Sequence, residues 1–454
     1  MRHTAQLPFV TPWIREEQAQ ALALISEVID APPQCATLVQ QDLVRGVGQP
    51  GRGAPGLTGD QVLRIALAKH LTGDSDRTLA FRLADSVSYR AFCRLGILEE
   101  VPRYQTLQQK VRQIRAATWG VIHQAIVQTA LAHGLDDATR VRIDSTVVEA
   151  DIHAPTDATL LADGVRMLTR CLRHAHQVGV GPRVRSRVQR AKHRAVAIQD
   201  TRAADTVTRT RLYRELVAIT RDVLEMATPV LDALQARPAM PPVGGPVDPR
   251  RARLCTRLTA LCTLVPRVID QTERRVFAGE PVPATEKLVS LVEPHADILV
   301  KDRRDTDYGH KIFLSAGQSL VFDVAIVRGN PADATWTVPM ARRLTQQYGV
   351  TPPALTYDGA FASQDNLTTL KADGVRDVVF AKHRGLAVAA MTDDPALFRA
   401  RRRFRAGIES VISRLKRAFG LTRARWRGAA GFVGYVRRAM VAANLLALAH
   451  HLLR

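Results

Sequence analysis

Glu409 is the only acid between Arg399 and Arg427, a stretch that holds eleven arginines and lysines. The run Arg405-Ala406-Gly407-Ile408-Glu409-Ser410-Val411-Ile412-Ser413-Arg414-Leu415-Lys416 has the spacing of an amphipathic helix. On one continuous helix, Arg405, Glu409 and Lys416 fall within about 40° of one another. Ile408, Val411, Ile412, Leu415 and Phe419 form the neighbouring apolar stripe, which faces a core. An acid held between two cations at the edge of a buried face suits metal binding by the acid and polyanion binding by the cations.

Two other segments supply partners for that acid. Thr139-Arg140-Val141-Arg142-Ile143-Asp144-Ser145-Thr146-Val147-Val148 alternates apolar and polar residues with β-branched side chains, the pattern of a strand carrying Asp144. Pro353-Ala354-Leu355-Thr356-Tyr357-Asp358-Gly359-Ala360-Phe361 predicts a short strand that ends at Asp358 and breaks at Gly359. A carboxylate at a strand's C-terminal end commonly faces a crevice in α/β folds. Each residue also has a plainer role: an aspartate after a strand as turn-former or helix cap, a glutamate among arginines as half of a surface ion pair. Convergence of all three on one point is the sharper alternative.

The combination resembles the bacterial insertion-sequence DDE transposases. It consists of Asp-Ser-Thr on a strand, Asp-Gly-Ala-Phe after a strand, and Arg-x3-Glu-x6-Lys on a late helix. Leu291-Val292-Glu293-Pro294-His295-Ala296-Asp297 and Asp307-Tyr308-Gly309-His310-Lys311 resemble the segment before the second strand of such cores. Leu79-Ala80-Phe81-Arg82-Leu83-Ala84-Asp85 and Phe92-Cys93-Arg94-Leu95-Gly96 resemble the helical domain that precedes them. The family often carries a tyrosine three residues before the signature arginine, and here Arg402 stands in its place, so that tyrosine's hydrogen-bonding or stacking role is lost or passes to a cation.

The resemblance implies an α/β ribonuclease H-like core with a mixed five-stranded sheet. It also implies a metal-dependent enzyme that cleaves the ends of its element and joins the exposed 3′-hydroxyls to target DNA. Such reactions are in-line displacements at phosphorus, in which two Mg²⁺ ions roughly 3.5–4 Å apart activate the attacking oxygen and stabilise the leaving one. Hard cations of this kind take oxygen ligands, so Asp144, Asp358 and Glu409 are the expected catalytic residues and metal ligands, with Mn²⁺ an alternative ion. Asp144 is the expected bridging ligand. Arg405 and Lys416 are expected to grip the DNA backbone. A nuclease of the same fold that does not join strands, and a non-catalytic DNA-binding regulator, are the alternatives.

Composition agrees with a nucleic-acid partner. The 454 residues carry a net charge of +21, and phosphate neutralisation supplies most non-specific DNA affinity. Nine further cations and no acid lie between Arg166 and Arg194, either a DNA-tracking surface or a solvated helix face. Lys382, His383 and Arg384 after a late strand are open to the same two roles. Five scattered cysteines without a CxxC pair fit reduced packing residues. Neither a Walker motif nor a dinucleotide fingerprint is present, so no nucleotide is expected. The N-terminal residues lack the apolar stretch of a signal peptide, and the run Ala439–Leu453 is too short to span a bilayer and reads as a buried helix. A bacterial cytoplasmic, nucleoid-associated protein acting as a homodimer on DNA is expected.

These residues must be positioned by several regions. Residues 1–56 predict an N-terminal helix and a glycine–proline linker, and 57–135 an all-helical domain open to a helix-turn-helix. Within it, Thr58 and Gln61 suit a capping box, and helices are expected over Ser75–Leu83, Ser88–Leu95 and Tyr104–Gln128. The catalytic core is expected at 136–155 and 286–430, interrupted by a helical insertion at 156–285 between its first and second strands. There Leu212, Leu216, Ile219, Val223 and Met226 recur at helical spacing. The β pattern resumes at Lys311, and residues 431–454 form a C-terminal helix.

Overall fold

The computed structural model describes residues 16–49, 56–96, 98–236, 248–301, 305–349, 351–382 and 384–454. Residues 50–55 of the expected linker and His383 lie outside these. The chain divides into two compact units, one of residues 1–151 and 299–454, the other of residues 152–298.

The first unit begins with helices α1 (Glu17–Asp30), α2 (Gln34–Val44), α3 (Gly59–Thr72), α4 (Asp76–Asp85), α5 (Val87–Phe92), α6 (Tyr104–Gln113) and α7 (Ala116–Ala132). The capping box starts α3: the Thr58 hydroxyl accepts from the Gln61 amide at 3.2 Å, and Gln61 Oε1 accepts from the Thr58 amide at 2.9 Å. The single helix expected over Tyr104–Gln128 is two. Its break comes from Asp42 of α2, a buried carboxylate that accepts from the Arg115 amide at 2.9 Å and the Thr118 hydroxyl at 2.6 Å. Asp42 thus supplies, from a distant part of the chain, the acceptor that an N-cap side chain would offer to α7.

The second unit is helical: α8 (Asp157–Gln177), α9 (Val188–Asp200), α10 (Thr206–Ala236) and α11 (Pro249–Thr272). Its core takes the expected stripe of α10, with Leu212, Leu216, Ile219 and Val223 buried and Met226 packed at the margin. Of the nine clustered cations, Arg166, Arg187 and Arg194 pair with Asp163, Asp222 and Glu215. Arg170, Arg173, Arg183, Arg185, Arg190 and Lys192 are exposed.

Among the described residues, the strands form one seven-stranded mixed sheet. Its strands are β1 (Arg140–Ala150), β2 (Asp297–Lys301), β3 (Asp305–Ala316), β4 (Val321–Val327), β5 (Ala354–Tyr357), β6 (Asp377–Phe380) and β7 (Arg423–Ala424). The path runs β2-β3-β1-β5-β6, with β4 also on β3 and β7 on β1. β1 is antiparallel to β3 and parallel to β5, and β6 is parallel to β5. Two more strands are present than the five expected, and β3 starts six residues before Lys311. The sequence 305–310 lacks apolar alternation; it is part of a strand because β3 pairs with β2 and, from Gly309 on, with β1, Val148 opposite His310 and Glu149 opposite Gly309. A Cβ at Gly309 would lie 2.0 Å from the Val148 carbonyl oxygen, so the close approach there requires glycine.

Helices α12 (Thr337–Tyr348), α13 (Gln364–Ala372), α14 (Val388–Met391), α15 (Pro395–Ala406), α16 (Ile408–Ala418) and α17 (Ala429–Leu452) complete the first unit. The expected C-terminal helix is present as α17, shifted by two residues, and by length and composition alone its 24 residues could cross a membrane. Its burial gives it another role: Val436, Ala439, Met440, Leu445 and Leu448 lie in one core with α1, α3, α7 and the sheet. Asn444 of α17 closes the edge of β4 like a peptide group, accepting from the Val321 amide at 2.9 Å and donating to the Val321 carbonyl at 2.8 Å. Asn444→Leu leaves that buried N–H without an acceptor, so a loss of about 1–3 kcal/mol in urea unfolding is expected. An unchanged midpoint would show that the amide is dispensable.

Candidate active site

Parallel pairing brings two aspartates, 214 residues apart in the chain, side by side. Ile143 of β1 is in register with Tyr357 of β5, so Asp144 and Asp358 follow at neighbouring positions on strands about 4.8 Å apart. Asp144 is 14% exposed and Asp358 is 38% exposed. Asp358 precedes the 3₁₀ turn Gly359–Phe361 yet makes no side-chain capping bond to it. The role of helix cap, one alternative for this residue, is therefore not realised.

The third acid arrives on a helix that is broken where a continuous one was expected. α15 starts at the Asp394 cap, whose carboxylate accepts from the Ala396 amide at 2.7 Å. Arg401 pins it to the sheet by an ion pair of 3.1 Å with buried Asp377. The helix stops at Ala406, and α16 begins at Ile408 with Glu409 in its first turn. The cause lies on β1. Arg142 Nη1 donates to the Phe404 carbonyl at 3.0 Å, and a Cβ at Gly407 would meet that same nitrogen at 2.2 Å. A side chain at this position would push the guanidinium away from the carbonyl.

Arg405 sits just before this break and touches all three acids. Its Nη2 lies 2.7 Å from Asp144 Oδ2 and 3.7 Å from Asp358 Oδ1, and its Nη1 lies 3.3 Å from Glu409 Oε1. The guanidinium is 14% exposed, whereas Glu409 is 73% exposed. Burial pushes the Asp144 carboxyl above its usual range, helped by the Asp358 and Asp333 carboxylates and opposed by Arg405 and the Ser145 amide. Burial thus outweighs the Arg405 charge at Asp144.

Three carboxylates are the hard oxygen donors that Mg²⁺ or Mn²⁺ takes, and they already share one cationic partner. In donor chemistry they fit a divalent ion. Among the described residues, no three histidine, cysteine, aspartate or glutamate side chains close around one point; the guanidinium holds the centre instead. Arg405 therefore faces the acids in this structure, where a phosphate was the expected partner. Lys416 lies in the last turn of α16, seven residues from Glu409 and about 10 Å along the axis on the same face.

Two residues around the site, Arg142 and Asp333, were not singled out in the sequence. Arg142 stood in the β1 run as an ordinary polar position; the structure buries it against the Phe404 carbonyl. Asp333, which raises the Asp144 carboxyl, pairs with Lys311 at 2.6 Å. No local pattern marks either of these two, because each acts on a group remote in the chain, Arg142 on Phe404 and Asp333 on Lys311 and Asp144.

A family model described as a transposase DDE domain matches residues 305–445, and one described as a transposase domain matches residues 14–113. Asp358, Arg405, Glu409 and Lys416 lie in the first segment, and Asp144 lies outside both. No curated protein and no solved structure matches the chain.

Proposed function

We propose, from its membership of the insertion-sequence DDE transposases, that this chain binds the terminal inverted repeats of its element, cleaves the ends by metal-dependent hydrolysis and joins the 3′-hydroxyl ends to target DNA. The observation that carries the reading is the meeting of Asp144, Asp358 and Glu409, from remote parts of the chain, on one guanidinium. These three are the catalytic carboxylates and would hold two Mg²⁺ ions, with Mn²⁺ as the alternative. Bound ions would supply Lewis-acid stabilisation of the attacking and leaving oxygens.

The chain's own residues orient that chemistry. The Ser145 amide holds Asp144 Oδ1 at 2.8 Å, the end of β5 sets Asp358, and the break at Gly407 sets Glu409. Lys416 holds the DNA backbone beside Glu409, and Arg405 neutralises the acids and meets the reacting phosphate. The strand order β4-β3-β1-β5-β6 supports a ribonuclease H-like core at 136–155 and 286–430, with 156–285 as a helical insertion. Residues 57–135 act as the DNA-reading helical domain, following the N-terminal helix and linker of 1–56, and 431–454 as the C-terminal helix. The charge of +21 and the exposed cations at 170–192 support double-stranded DNA as the partner. The working form is a homodimer on paired ends, in the bacterial cytoplasm at the nucleoid, without a nucleotide cofactor.

The test combines purified protein, Mg²⁺, a labelled fragment carrying the inverted repeats that flank the gene, and a supercoiled plasmid. Joined products are expected, and Glu409→Ala should abolish them while DNA binding persists. Cleavage without joining would mark a nuclease, and binding without either a regulator.

A further inference from the structure

Arg438, in the middle of α17, is 1% exposed and makes no hydrogen bond through Nε or Nη1. Its guanidinium lies 4.0 Å over the Trp426 ring and 5.6 Å from the Tyr435 ring centroid. Ring faces stabilise a cation but leave its N–H donors unanswered. A buried charge without hydrogen-bond partners costs stability, and the rings and the Asp76 charge offset only part of its desolvation.

The guanidinium lines a cavity of about 380 Å³ between α3, α6, the end of α16 and α17. Five cations border it (Lys69, Arg112, Arg417, Arg425 and Arg438) against two carboxylates, Asp74 and Asp76. Both acids are already taken. Asp74 pairs with Arg82 at 2.5 Å, and Asp76 pairs with Lys69 and accepts from Gln108 at 2.8 Å. Arg112, Arg417 and Arg425 are exposed at the rim. His70, also on the wall, is buried with Nε2 unpartnered. The cavity therefore has an excess of positive charge and buried N–H donors with nothing to donate to.

We propose that this cavity is a phosphate site that takes a backbone phosphate of bound DNA. It rests on the transposase reading for the source of the phosphate. Arg438 supplies the buried donors, and Arg425 and Arg417 supply the rim charge that draws the strand in. Arg417 is eight residues from Glu409 on α16, about 12 Å along the axis. At about 3.4 Å of duplex per phosphate on one strand, the site grips the backbone roughly three to four phosphates from the carboxylates. It would fix the register of the strand delivered to them.

Two variants and two probes test this on the full chain. Inorganic phosphate should raise the melting temperature of the native protein. Arg438→Met should melt higher than the native protein without phosphate and gain nothing from it. With a duplex carrying the element end, Arg438→Met and the rim variant Arg425→Gln should each bind about tenfold more weakly at low salt. Each should also lower the slope of log affinity against log salt by about one. Native slopes in both variants, from a native protein that cuts and joins DNA, would overturn the proposal and leave the transposase reading intact. Phosphate stabilisation without a change of slope would also overturn it, assigning the cavity to a free anion. A native protein that binds no DNA would remove the reading on which the proposal rests, while an unchanged phosphate response in Arg438→Met would still reject the cavity.

Discussion

Asp144→Asn should lose strand cleavage and joining by roughly 10³-fold or more, yet melt no lower than the native chain at neutral pH. Both halves follow from one imbalance. Three carboxylates face a single guanidinium, and Asp144 is the most buried of them. Its carboxyl is pushed above the ordinary aspartate value of 3.8, first by burial. A raised folded value means that the group's favourable contribution is complete below the unfolded value and is lost as pH rises through the folded one. At neutral pH the ionised side chain is therefore a net cost to folding, which asparagine relieves at constant shape. A residue that lowers stability while sitting at the centre of a site is the pattern expected of function. Thermal melts at pH 7.5 beside the joining assay decide it. A variant that melts several degrees low would make Asp144 a structural anchor for Arg405, and retained joining would remove it from the reaction.

Arg405→Gln should move stability the other way. It leaves three acids within reach of one another and no common counter-ion, two of those acids being partly shielded from water. Loss of the cation from such a half-buried set costs about 2–4 kcal/mol. Part of that loss should return on adding millimolar Mg²⁺, which should raise the melting temperature of the variant more than that of the native chain. Arg405→Lys, a point charge without the planar fork, should fall between the two because it cannot reach all three carboxylates at once. Joining activity should drop about a hundredfold in Arg405→Gln, since the same side chain positions the acids and meets the phosphate. Equal responses of the native chain and Arg405→Gln to Mg²⁺ would show that the guanidinium is not the counter-ion that a metal would replace.

Much of this site is written locally. The alternation around Asp144, the short strand before Asp358, the cations around Glu409 and the capping box at Thr58 each depend on residues within a few positions, and all appear in the structure as strand, strand, helix and cap. Burial periodicity likewise marked the stripe of α10. The net charge pointed to a polyanion without reference to any fold.

What local pattern could not convey is where distant groups interrupt an element or meet each other. The helix through Glu409 breaks because Arg142 arrives from β1, and the helix through Arg115 breaks because Asp42 arrives from α2. Residues 305–310 become a strand through pairing alone. Arg405, read from the sequence as a DNA contact, lies on Asp144 across 261 residues of chain. The unpartnered Arg438 stands out only where α3, α6 and α17 enclose it. Propensity and periodicity act over a few residues, so the sequence determined which groups were available and on which elements. Strand pairing and core packing act between residues hundreds of positions apart, and only they decided that three carboxylates share one cation.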